Sequence, residues 1–94
     1  MGATITITVI PRPPFNEWFA LQEYLLEVPA GSTIAETVET LIERESMHDT
    51  LKAKHAYAFG ELNALYAVND RMGKKESILQ NGDVLRILGT FIGG

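Results

Sequence analysis

LEVPAGSTIAETVETL, residues Leu26 to Leu41, contains a change of period that decides the fold. Through Val28 the side chains alternate, with Tyr24, Leu26 and Val28 on one face and Glu23 and Glu27 on the other. Period two with one apolar face describes a half-buried strand. PAGST then breaks the alternation. Beyond it, Ile34, Val38, Leu41 and Ile42 recur at helical spacing, while Glu36, Glu39, Glu43 and Arg44 fall elsewhere. Thr33, with Glu36 three residues later, forms a capping box, so the spacing predicts a helix over roughly residues 33–45.

Upstream, TITITVI (Thr4 to Ile10) places Ile5, Ile7 and Val9 opposite Thr4, Thr6 and Thr8, a second alternating strand. Between the two strands lies PRPPFNEWF, where Pro11, Pro13 and Pro14 argue against regular structure. The pair reads as a hairpin with a long, proline-stiffened loop. Downstream of the helix the pattern weakens. Met47, Leu51, Ala58 and His55 make a partial stripe ending at Gly60, which reads as a second, shorter helix or an irregular crossover. LYAVN (Leu65 to Asn69) is a further strand, NDRMG a turn, ESILQNGD a turn-rich segment with Asn81-Gly82, and VLRIL the last strand. Strand, strand, helix, strand, strand is an α+β order, with the helix covering one face of a small mixed sheet.

The chain has 94 residues, 46% of them hydrophobic and 21% charged, which suits one globular domain with one core. The net charge of −4 argues against a nucleic-acid partner, which needs a basic footprint. No apolar run approaches the roughly 18 residues that would suggest a membrane span. The start, MGATITITVI, lacks the basic region and cleavage site of an export signal. It opens on Met-Gly, but Thr6 lies in a strand-like run, which weakens any lipidation reading. With no cysteine, disulfides, thiolate metal sites and a cysteine nucleophile are excluded, and the cytoplasm is the expected compartment.

Conventional catalytic patterns are missing. There is no G-x-S-x-G elbow, no G-x-G-x-x-G and no Walker loop. His48 and His55, seven apart, could share a metal with Asp49 or Glu45. Such spacing more often marks surface or partly buried histidines than ligands, so no metal or bound cofactor is expected. Phe15, Trp18 and Phe19 in the proline loop form either a partner-binding patch or a flap folded back on the core.

The remaining feature is the ending, LRILGTFIGG. A carboxylate is a poor acyl donor and is usually activated first, as an acyl-adenylate. Threading a C-terminal carboxylate into a narrow activating site needs a bendable, side-chain-free end, which Gly93-Gly94 supplies. Taken together, LEVPAGSTIAETVETL, YAVN and SILQNGDVLRILGTFIGG resemble the ubiquitin-like β-grasp sulfur carriers. That family includes the small subunit of molybdopterin synthase (MoaD-like) and the thiamine sulfur carrier (ThiS-like). The resemblance spans nearly the whole chain, except the proline loop and the Ser46 to Leu62 segment.

The resemblance implies a β-grasp domain over residues 1–94, with a mixed sheet of four to five strands, one main helix and a second short helix. A flexible tail would begin at about residue 89. It further implies that an E1-like enzyme uses ATP to adenylate Gly94, that a sulfur donor converts the adenylate to a thiocarboxylate, and that a synthase subunit accepts the sulfur. The chain itself would not be an enzyme. Phe91, Ile92 and Gly93 form the expected tail, and Phe91, Leu88, Arg86, Phe15 and Trp18 the expected partner interface. Two alternatives stay open: a ubiquitin-like modifier joined to lysines through the same glycines, and a β-grasp interaction domain without C-terminal chemistry.

Overall fold

The computed structural model describes residues 2–90. Strand β1 (Thr4–Pro11) pairs antiparallel with β2 (Tyr24–Pro29), with Ile5 opposite Val28 and Val9 opposite Tyr24. Helix α1 (Ile34–Arg44) follows, then α2 (His48–Ala53) and a small hairpin of β3 (Tyr57–Ala58) and β4 (Glu61–Leu62). Three further strands are β5 (Ala64–Val68), β6 (Arg71–Gly73) and β7 (Val84–Gly89). The main sheet runs β2-β1-β7-β5-β6, with β1 and β7 parallel and the other neighbours antiparallel. One helix laid across a mixed five-stranded sheet whose last strand lies at its centre is the β-grasp arrangement that the sequence leads one to expect.

The helix forms where the sequence places it. Thr33 Oγ1 accepts from Glu36 N and Glu36 Oε1 accepts from Thr33 N, completing the capping box. Such a cap contributes about 1 kcal/mol. Two more of the helix's free N–H groups, on Ile34 and Ala35, donate to the carbonyls of Ser77 and Lys75, which ties the 75–77 loop to the helix start. Ile34, Val38, Leu41 and Ile42 then pack against Ile7, Val9, Leu26, Leu85 and Ile87 of the sheet, all essentially inaccessible to water. Apolar burial on this scale, at roughly 25 cal/mol per Å², is the main source of stability in a domain with no disulfide.

Four expectations need correcting. Pro11 is not outside the strand; it closes β1, opposite Ile87. Pairing of β1 with β2 has already ended at Val9, and Arg12 N carries the ladder on to Ile87 O, so the N–H that proline lacks interrupts little. The second helix is shorter than the stripe suggests, because it stops at Ala53. His55 has φ +60°, His55 N donates to Lys52 O, and Ala56 N donates to Leu51 O. This is a Schellman ending built on histidine in place of glycine. Ala58 therefore lies in a hairpin, whose turn residues Phe59 and Gly60 both have positive φ. Last, NDRMG is a turn only at Asn69 and Asp70; Arg71–Gly73 adds an edge strand to the sheet.

Candidate functional site at the end of the last strand

Strand β7 is hydrogen-bonded on both sides, by β1 and by β5. Its inward residues Leu85 and Ile87 are fully buried under the helices. The residues between them, Val84, Arg86 and Leu88, face the opposite, helix-free side of the sheet and are half-buried. Register extends this open face sideways. Leu65 stands opposite Leu88, Ala67 and Ile10 flank Arg86, and Met72 lies beyond Ala67. Arg86 is held in place by its Nη1, which donates to Asn69 O at 2.9 Å. A cation thus sits inside an apolar field in which Leu65 is 47% exposed and Leu25 and Met72 more so. Contiguous exposed apolar surface with a polar anchor is the usual character of a protein-binding face.

Sequence reasoning found Arg86 and Leu88 but missed Leu25, Leu65, Ile10 and Met72. A signal was present, because Leu25 and Leu65 occupy polar-phase positions of otherwise alternating strands.

At its far end β7 runs against the proline loop. A Cβ added to Gly89 would lie 2.7 Å from Pro14 Cδ and 3.1 Å from Pro13 O, so only glycine lets the strand pass there. Just beyond, Pro14, Phe15, Trp18, Lys54, Ala56 and Asn63 wall a groove of about 440 Å³. Gly89 and Thr90 form its remaining side.

The structure divides the three loop aromatics. Phe15, 2% exposed, and Phe19 belong to the core, and Phe15 meets the surface only through the groove wall. Its burial follows from the short 3-10 turn at Phe15–Glu17, which points the ring inward. Trp18 is half-buried and packs edge-on to Phe15, with centroids 5.5 Å apart. Lys54 Nζ lies 5.8 Å from the Trp18 ring centroid, within cation–π range. Phe91, Ile92, Gly93 and Gly94 lie outside the described residues. Gly89, the residue near which the tail was expected to start, is still part of β7.

The two histidines are kept apart. His48 pairs with Glu39, and Tyr57 Oη donates to the other oxygen of that carboxylate at 2.9 Å. Burial, followed by the bond to Glu39, pushes the Tyr57 hydroxyl above its ordinary pKa. His55 lies instead on the rim of the β7 groove. Among the described residues no three His, Asp or Glu side chains converge as a metal site would require. Among them, too, no helix is long and apolar enough to cross a membrane.

No protein-family model matches the chain, and no curated protein matches it in sequence. Several solved structures share its fold. SAMP1 from Haloferax volcanii superposes with a TM-score of 0.75 at 16% identity, over 95% of this chain and 99% of that one. A candidate molybdopterin converting factor subunit 1 from Pyrococcus furiosus gives 0.70 at 22% identity, over 90% and 97%. A complex of subunits 1 and 2 of the molybdopterin-converting factor from Helicobacter pylori gives 0.57 at 19% identity, over 96% and 100%. At these identities the likeness establishes the ubiquitin-like β-grasp fold.

Proposed function

We propose that this chain is a sulfur carrier whose C-terminal glycine is converted to a thiocarboxylate. The observation that carries the reading is the position of β7. A central strand paired on both sides ends at Gly89, and only three residues separate it from Gly93-Gly94. In this reading residues 1–94 act as one carrier domain. The Gly94 carboxylate attacks the α-phosphate of ATP in the activating enzyme and releases pyrophosphate. A sulfur nucleophile then displaces AMP from the acyl-adenylate. All the chemistry belongs to partners; the chain is a non-catalytic substrate and subunit, acting in the cytoplasm and needing neither a cysteine nor a bound cofactor. The likeness to molybdopterin converting factor subunits supports a synthase subunit as the sulfur acceptor.

The open sheet face supplies the docking surface. A short tail cannot bind tightly alone, since ordering each residue costs about 1–2 kcal/mol. Leu65→Asp is expected to weaken binding to the activating enzyme by at least about 1 kcal/mol, as hot-spot residues do. Because Leu65 is largely exposed, the melting curve should barely move. Calorimetric titration beside a thermal melt checks both, and unchanged affinity would move the docking face elsewhere.

The function itself is tested by incubating the chain with a cognate activating enzyme, ATP and a sulfur source. Mass spectrometry of the C-terminal peptide is expected to show one oxygen replaced by sulfur. A carboxylate that persists beside a competent enzyme rules the carrier role out. The likeness to SAMP1, described for the same organism as small archaeal modifier protein 1, favours one second reading, attachment to protein lysines through the same adenylate. Recovery of lysine conjugates in place of thiocarboxylate would select it.

A further inference from the structure

A cavity of about 760 Å³ lies between α1, the β3–β4 hairpin and β5. We propose that it is a binding site for an organic cation, an ammonium group on an apolar stem, held by the Tyr66 hydroxyl and by the Glu39 and Glu61 carboxylates. The stem lies along Val38 and Leu62. Tyr66 is buried opposite Ile87, on the helix side of the sheet and away from the Arg86 face. The inference is therefore independent of the sulfur-carrier reading and of any partner docked on that face.

Three observations converge. The first is a polar group without a partner. Tyr66 is 6% exposed and lines the cavity, yet its hydroxyl has no hydrogen-bond partner among the described residues. The hydroxyls of Tyr24 and Tyr57 are both bonded, as buried polar groups nearly always are. The second is the sign of the charge around it. Burial, then the Glu61 and Glu39 carboxylates, push the Tyr66 hydroxyl up to about 12, so it stays neutral in surroundings that repel an anion. Around the cavity, Glu36, Glu39 and Glu61 outnumber Lys74 and Lys75, with His55 the remaining titratable group. Glu39 pairs with His48 and accepts from Tyr57, and both Glu61 oxygens accept from Lys75 Nζ, at 3.1 and 2.9 Å. A carboxylate has about four acceptor positions, so both keep room for another donor. The Lys75 contact shows that an alkylammonium already suits this rim. The third is size and lining. The volume falls within the roughly 300–1,000 Å³ of small-molecule sites and far exceeds the roughly 30 Å³ share of one water. Val38 and Leu62 supply apolar walls, and the Tyr57 and Tyr66 rings supply the π-systems to which cations are drawn.

The probe is n-pentylammonium, titrated into the full chain and followed by NMR shifts. Pentanoate and 1-pentanol serve as the anionic and neutral chains of the same carbon number. Pentylammonium is expected to give saturable shifts centred on Tyr57, Leu62 and Tyr66, with a Kd on the order of 1 mM and at least about tenfold tighter than either comparison probe. Tyr66→Phe is expected to bind it about tenfold more weakly, by loss of a hydrogen bond to a charged group. The melting midpoint of that variant should stay in place or rise, because the hydroxyl it removes has no partner in the fold. A capped pentapeptide with one central lysine separates two sources of the same chemistry. Binding like that of the free amine makes a lysine side chain of another protein an eligible occupant, whereas binding of the free amine alone restricts the site to small amines. Pentanoate or pentanol bound as tightly as pentylammonium overturns the proposal, since a merely hydrated or apolar hollow has no preference for a cation. No saturation by pentylammonium at about 100 mM, or undiminished binding by Tyr66→Phe, overturns it as well. So does a large drop in the Tyr66→Phe melting midpoint, which would give the hydroxyl an internal partner.

Discussion

Deleting Gly94, or adding one residue after it, is expected to abolish ATP–pyrophosphate exchange by the cognate activating enzyme. Adenylation requires a carboxylate at the reacting phosphorus, and an error of about 1 Å in a reacting group can cost about a hundredfold in rate. One residue too many or too few displaces the carboxylate by about 3.3–3.6 Å of extended chain. The same changes should leave stability within about 0.5 kcal/mol, because the packed strand ends at Gly89. Activity lost without any change in the melt would separate the working end from the fold. Exchange retained by the shortened chain would contradict adenylation at Gly94.

Gly89→Ala is expected to have the largest effect on stability among substitutions near the tail, with a cost of about 1–3 kcal/mol. The added methyl meets Pro14 Cδ at 2.7 Å and the Pro13 carbonyl oxygen at 3.1 Å. The first is an atom of a closed ring and the second is main chain, so neither escapes by changing rotamer. The loop must move, and Phe15 lies in the core directly behind it. Denaturant unfolding measures the loss. Gly2→Ala is a suitable control, since a Cβ there has open space around it. An unshifted midpoint for Gly89→Ala would mean that the loop yields freely and does not shape the tail's exit.

Helix α1 was legible because its signals are local. The capping box and apolar stripe lie within a dozen residues, and no tertiary contact competes with them. Its end also falls where the spacing puts it, at the Glu45 cap, although no glycine marks the stop. Ser46 takes φ +54°, with Ser46 N donating to Glu43 O and Met47 N to Ile42 O, and α2 ends in the same way at His55. Both stops lack the glycine that usually marks this geometry. The buried side chains of Met47 and Ala56 hold the chain in it from outside the helix. Strand β6 was hidden for a related reason. Three residues following a turn carry too little pattern, and they become a strand only because β5 offers an unpaired edge.

The site divides along the same line. The sequence alone determined the alternating strands, the amphipathic helix, the final Gly-Gly and the candidate face residues Arg86 and Leu88, because each is a matter of residue type and short-range period. The tertiary structure decided which of the loop aromatics is buried, which apolar residues of four different strands meet around Arg86, and that Gly89, Pro14, Trp18 and Ala56 form one groove. Those contacts join positions up to about seventy-five residues apart, and no local period encodes them. They follow from the packing of β7 between β1 and β5, which brings the proline loop and the α2–β3 turn to the same end of the sheet.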